Sequence, residues 1–199
     1  MKNPRAYLGR WSGIGRPRPG HLDKWVSTAG GLIALAAVLL ISEAVLDLTS
    51  AAALVASMGA SAVLLFAVPH GALAQPWPVF GGHLVSAVIG VACAQVLVEP
   101  VAAASVSVGL AIGAMHYLRC IHPPGGATAL SAVVGGEAVH QLGFQFVLTP
   151  VMLNVVTILL VALLFNAPFR WRRYPRALAI KRDGSPAASK LLAQRQLDR

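Results

Sequence analysis

The sequence predicts an all-α membrane protein of about six transmembrane segments, two of them broken or half-helices, arranged as two inverted three-segment repeats. Three observations predict this. The first is where the cations lie. Lys2, Arg5, Arg10, Arg16, Arg18 and Lys24 precede Trp25. Arg170, Arg172, Arg173, Arg176, Lys181, Arg182, Lys190, Arg195 and Arg199 follow Phe169. Between Trp25 and Phe169 the only strong cation is Arg119. A chain that keeps its charges at its ends occupies a solvent that rejects them, and that solvent is lipid. The second observation is composition: 56% of residues are apolar and 12% charged, where soluble domains carry about 25% charged. The third is an internal repeat, described below.

The net charge of +9 therefore does not argue for nucleic acid. Basic ends beside apolar spans read as anchors at anionic headgroups on the cytoplasmic side. The chain divides into a basic cytoplasmic segment (1–24), a membrane domain (25–169) and a basic cytoplasmic tail (170–199). At 199 residues it is one domain. The first 24 residues have no apolar core, so no cleavable signal is expected. Cys93 and Cys120 sit in or beside apolar stretches and read as buried thiols, since a disulfide framework needs more cysteines and an oxidising space.

The elements follow in order. Val26 to Leu46 is apolar apart from Ser27, Thr28, Ser42 and Glu43; as a helix it measures roughly 31 Å, enough for a hydrocarbon core of about 30 Å. Thr49 to Val68 comes next, rich in Ala, Ser and Gly. Pro69, Pro76 and Pro78 then interrupt the chain. Phe80 to Val98 is a third span, closed by Glu99 and Pro100. Val101 to Leu118 is a fourth, ending at Arg119. Phe144 to Phe169 holds the last, closed by Pro168 and a basic cluster. Between them Gly125 to Val134 covers only about 15 Å, so it is a half-helix, re-entrant or part of a broken span.

Two basic tails on the cytoplasmic side require an even number of crossings. Six fits if the Gly125 segment completes a broken crossing. Four fits if both that segment and Thr49 to Val68 are re-entrant. Six is preferred because Arg119 then lies inside.

Gly59-Ala60-Ser61-Ala62-Val63 resembles Gly126-Ala127-Thr128-Ala129-Leu130, 67 positions later. The same offset places Gly82 and His83 near Thr149 and Pro150. Two halves of three segments each are necessarily inverted, an architecture of secondary transporters whose substrates sit where broken helices meet. Helix starts present unpaired N–H groups and roughly half a positive charge. Glycine admits a ligand to the backbone and a hydroxyl adds a donor, so Ser57, Gly59, Ser61, Gly126 and Thr128 suggest an anion site. Small residues at these positions equally suit close helix packing.

The sharpest string is Arg119-Cys120-Ile121-His122-Pro123-Pro124-Gly125-Gly126-Ala127-Thr128-Ala129-Leu130. Its prolines force an extended stretch, and a helix restarts at the glycines. His122 can donate, accept or titrate near neutrality, or simply hold the kink. Arg119 can supply charge or sit as an interfacial cation. The string resembles the signature of the HPP family of membrane proteins. Gly59 to Phe66 resembles that family's second-span motif. Leu73-Ala74-Gln75-Pro76 with Gly81-Gly82-His83-Leu84-Val85-Ser86-Ala87 resembles its loop and next span, and Arg172-Arg173-Tyr174-Pro175 its basic ending. The resemblance covers approximately 22 to 176. Gly125 stands where the family often has alanine. The regulatory CBS-type domain of some members is absent from this sequence, so nucleotide regulation in cis is not expected.

The resemblance implies an integral membrane protein, with plant and cyanobacterial relatives regarded as nitrite transporters and usually described with four spans. Carried over by motif, it implicates Gln75, Pro76, His83, His122, Pro123, Pro124, Gly125, Gly126 and Thr128. The expected function is passage of a small inorganic anion, nitrite first, between opposed half-helix starts, with no enzyme activity and no cofactor. His122 is a candidate for proton coupling.

Glu43, Asp47, Glu99 and Glu137 lie near span ends. A cation or neutral-solute channel using Glu43 and Glu99 is the rival reading, and a membrane scaffold a third. Asn154 caps a broken helix or bonds across helices. His70, His116 and His140 have no metal-ligand spacing. The expected setting is the lipid bilayer of the cell (inner) membrane, with both termini cytoplasmic and a homo-oligomer, dimer favoured.

Overall fold

The computed structural model describes residues 19–45 and 48–179. Asp47 and the tail cations before 19 and after 179 lie outside them. The described residues form seven α-helices: α1 (His21–Val45), α2 (Leu48–Ala67), α3 (Pro76–Val96), α4 (Pro100–Tyr117), α5 (Pro123–Val134), α6 (Gly136–Leu142) and α7 (Leu153–Asn166). A π-helical turn, Val147–Met152, leads into α7. Among the described residues, four stretches are long and apolar enough to cross a membrane: His21–Ala44, Pro76–Val96, Pro100–Tyr117 and Val147–Asn166.

The helix ends differ from the sequence reading for local reasons. Pro76 and Pro78 do not precede α3 but form its first turn, where a missing N–H costs nothing and the fixed φ suits a helix. The third span therefore starts before Phe80. Glu99 caps α4: its carboxylate accepts from the Val101 N–H at 3.1 Å and the Ala102 N–H at 2.7 Å. The far end of α4 closes with Arg119 in the left-handed region (φ 53). There Cys120 N–H donates to Met115 O and Arg119 N–H to His116 O, the paired bonds of a Schellman ending. The last span breaks at Thr149, whose φ −137 and ψ 112 are extended, just before Pro150.

One expectation fails here. Gly59 is not at a helix start; it lies inside the continuous 20-residue α2. A single glycine costs about 1 kcal/mol in a helix, too little to interrupt a run of Ala, Leu and Met that packs on its neighbours. The half-helix is α5 alone, and it begins at Pro123 with His122 as its N-cap.

α3 and α5 run parallel in close contact. A Cβ on Gly125 would stand 2.9 Å from Gly82 O, and one on Gly90 would stand 2.6 Å from Ala129 O, so only glycine permits this approach. α2 runs antiparallel to both, with Ser57 opposite Thr128 and Ser61 opposite His83 and His122. Phe66, Phe146, Leu54, Met58, Leu65 and Ile158 are among the fully buried side chains of the core. α4 leaves Val101, Val106, Leu110 and Ile112 exposed, as suits a face against acyl chains.

The start of α1, the end of α2 and the end of α7 are tied together by Arg172. Its guanidinium donates to Asp23 Oδ1 at 3.2 Å, Ser27 Oγ at 3.2 Å, Asn166 Oδ1 at 3.3 Å and the Phe66 carbonyl. Trp171 Nε1 adds a 2.8 Å bond to Asp23 Oδ1. On the same side Gln75 accepts from Arg176 N–H, and Trp77 donates to Leu118 O.

A buried hydroxyl and imidazole cluster as the candidate functional site

α2, α3 and α5 converge on five polar side chains with no solvent exposure: Ser57, Ser61, His83, His122 and Thr128. The helical repeat puts Ser57 and Ser61, four apart, on one face of α2. His83 comes from α3, two turns past its proline start. Thr128 lies in the second turn of α5, and His122 is itself the extended residue before Pro123, as proline demands.

The five residues bond to one another. Ser57 Oγ and Thr128 Oγ1 are 2.9 Å apart. Thr128 Oγ1 is 2.7 Å from His83 Nδ1. His83 Nε2 is 2.9 Å from Ser61 Oγ, and Ser61 Oγ is 2.9 Å from His122 Nε2. His122 Nδ1 donates to Leu73 O at 2.8 Å. The two imidazoles meet edge to face, centroids 4.9 Å apart. Buried polar groups of this kind are costly unless paired, and here each finds its partner within the group. Ser86, one turn after His83, is buried with no partner for its Oγ among the described residues. It points toward Gly125, where a Cβ would lie 2.8 Å from that oxygen.

The remaining candidates are placed otherwise. Pro124 and Gly125 are buried, Gly125 against α3. Pro123 is exposed. Gly126 looks toward Val108 of α4, and Gly59 opens onto a groove beside α1. Gln75 organises the turn before α3, donating to Pro69 O and Gly71 O. Arg119 is exposed on the α4 ending and does not reach the cluster. Glu43 and Glu99 are both exposed, and Glu137 accepts from Gln141 on the surface. Asn154 donates across helices to Ser42 Oγ at 2.7 Å. Cys93 and Cys120 are buried and free. His70 and His140 bond backbone carbonyls.

The start of α5 is poor in donors. Two of its first positions are prolines, which carry no N–H, and Gly125 N–H already donates to His122 O. Side chains, rather than a bare helix end, therefore carry the polarity of this site.

Sequence reasoning missed Ser86, the Leu73 carbonyl and the Arg172 tie. The three-residue step from His83 to Ser86 is the one signal that pointed to the first. Backbone acceptors leave no signal of their own.

Residues 16–175 match the family described as HPP, transmembrane region. The chain belongs to this family. Two transmembrane proteins of Dictyostelium discoideum are similar to this HPP chain. One is 37% identical over 179 residues, which cover 85% of the chain and 56% of the relative. The other is 37% identical over 180 residues, 85% of the chain and 62% of the relative. The chain thus spans less than two thirds of the length of either. No solved structure matches it.

Proposed function

We propose that the chain is a membrane transporter for a small inorganic anion, with nitrite the first candidate, and that it is not an enzyme. The observation that carries this reading is the fully buried cluster of Ser57, Ser61, His83, His122 and Thr128. Ionisable and polar side chains inside a membrane bundle are expensive and mark substrate paths by default. Hydroxyls and imidazole N–H groups donate to a compact anion. Arg172 is the only buried charged residue among those described, so no buried carboxylate stands by to repel an anion. In the arrangement described, the donors are engaged with one another. The anion would replace those mutual bonds, and Ser86 would add a hydroxyl. Nitrite is chosen from the family resemblance.

The crossing of the antiparallel α2 and α5 supports the inverted repeat. Ser61 and Thr128 stand 67 positions apart, equivalent places in the two halves, and both bond the His83 ring. In this reading α2 and the broken α5–α6 pair complete six crossings. Both basic ends then face the cytoplasm in the cell (inner) membrane, and two copies form a symmetric dimer.

The test is nitrite uptake by the purified protein in liposomes. Thr128→Val and His122→Ala should each lower uptake at least about tenfold, which corresponds to a loss of 1.4 kcal/mol or more, while the protein still elutes as a folded species. Full uptake in both variants would remove the site.

A further inference from the structure

We infer that Ser57, Thr128, His83, Ser61 and His122 form a proton relay with a built-in direction, and, resting on the transport reading above, that a proton accompanies the anion. The argument is an account of hydrogens. The Leu73 carbonyl can only accept, so His122 Nδ1 carries a proton. With neutral rings, His122 Nε2 must then accept, and Ser61 is the hydroxyl within reach. Ser61 Oγ, having given its proton, accepts from His83 Nε2–H. His83 Nδ1 is left to accept from Thr128, and Thr128 Oγ1 accepts from Ser57. Ser61 and Thr128 also lie 3.2 and 3.5 Å from the Ser57 and Pro124 carbonyls, but donating there would leave His122 Nε2 or His83 Nδ1 without a donor, so with neutral rings both rings are fully satisfied in this one orientation only.

All donors therefore point one way, from Ser57 toward His122. A proton arriving on Ser57 Oγ displaces that hydroxyl's own proton to Thr128. Thr128 passes its proton to His83 Nδ1, His83 releases its Nε2 proton to Ser61, and Ser61 gives its proton to His122 Nε2. Each oxygen and the His83 ring gain one proton and lose one. The net change is one proton taken from outside Ser57 and one N–H bond formed on His122. The peptide carbonyl cannot carry it further, so the charge rests on His122. Both its N–H groups are then engaged, one on Leu73 O and one on Ser61 Oγ. The links measure 2.7 to 2.9 Å, distances at which protons pass between neighbours.

Little else competes for this proton. On α2 the neighbours are serines and on α5 Thr128. From the segment after α4 comes the Cys120 thiol, packed against Gly81. Arg172, the buried charge among the described residues, is engaged at the far ends of α1, α2 and α7. An imidazolium at His122 beside the anion strengthens the binding of each by the other, as linkage requires.

The experiment places a pH-sensitive dye inside liposomes holding the whole protein, at alkaline pH, with protein-free vesicles as blank. Nitrite and proton uptake are followed together. Nitrite added outside should acidify the interior. Ser61→Ala and His83→Gln should each slow acidification at least about tenfold, and Ser61→Thr, which keeps the hydroxyl, should restore it. Nitrite uptake without protons overturns the inference and leaves the transport reading standing. Proton uptake driven by a potassium-diffusion potential, indifferent to nitrite, keeps the relay and overturns the reading. Neither flux overturns both. If Ser61→Ala does not fold, His83→Gln carries the same test.

Discussion

Arg119 stands in a conformation that ordinary side chains avoid. Its φ of 53 costs roughly 1–2 kcal/mol in a residue with a Cβ, and the position after a helix is where glycine is favoured. Arg119→Gly should therefore raise stability by about 1 kcal/mol, read as a higher unfolding temperature in detergent, with nitrite uptake unchanged. Gly82 predicts the opposite. A Cβ there would lie 2.6 Å from His122 Cβ and 3.0 Å from Cys120 O. Gly82→Ala should lower stability by about 1–3 kcal/mol and disturb uptake through His122. At this scale the sequence singled out several residues that the fold gathers, but did not show where their neighbours pointed. His122, Thr128 and Ser61 were visible from the proline motif and its repeat. Gly59 sits beside them in the chain but faces α1, because neighbouring positions on a helix look in different directions.

Among the elements, prolines and caps decided the outcome. The half-helix after His122 was legible because two prolines and a short apolar run leave little else. The continuity of α2 was not, since a glycine among small residues looks the same in a packed helix as at a helix start. α5 replaces two of its own donors with prolines, which leaves hydroxyls and imidazoles, rather than a bare helix end, as the donors of the cluster. Glu99 illustrates the same point for the acids. It caps α4 from an exposed position, so Glu99→Ala should cost about 1 kcal/mol of stability and leave uptake intact. Uptake that fails in Glu99→Ala or Glu43→Gln, while surviving His122→Ala, would favour the rival cation or neutral-solute channel.

For the whole molecule, the apolar interior and basic ends were plain from composition, while the way the ends are joined was not. Arg172 and Asp23 are about 150 residues apart in sequence, and no local pattern announces such a pair. Arg172 is 5% exposed, so removing it leaves Asn166 Oδ1 and the Phe66 carbonyl without this donor and Asp23 with Trp171 alone. Arg172→Gln should cost about 3 kcal/mol, seen as a lower unfolding temperature. Arg172→Lys should recover only part of this, since a lysine lacks the planar fork that spans several acceptors. The proposed even number of crossings makes its own prediction: reporters fused at either terminus should both register on the cytoplasmic side.

The Arg172 clasp also bears on how the protein matures. This side chain leaves the ribosome after all seven helices have been synthesised, so its bonds to α1, α2 and α7 cannot form before α7 has emerged. A chain cut short before Arg172 would leave the Asn166 side chain and the Phe66 carbonyl without that donor.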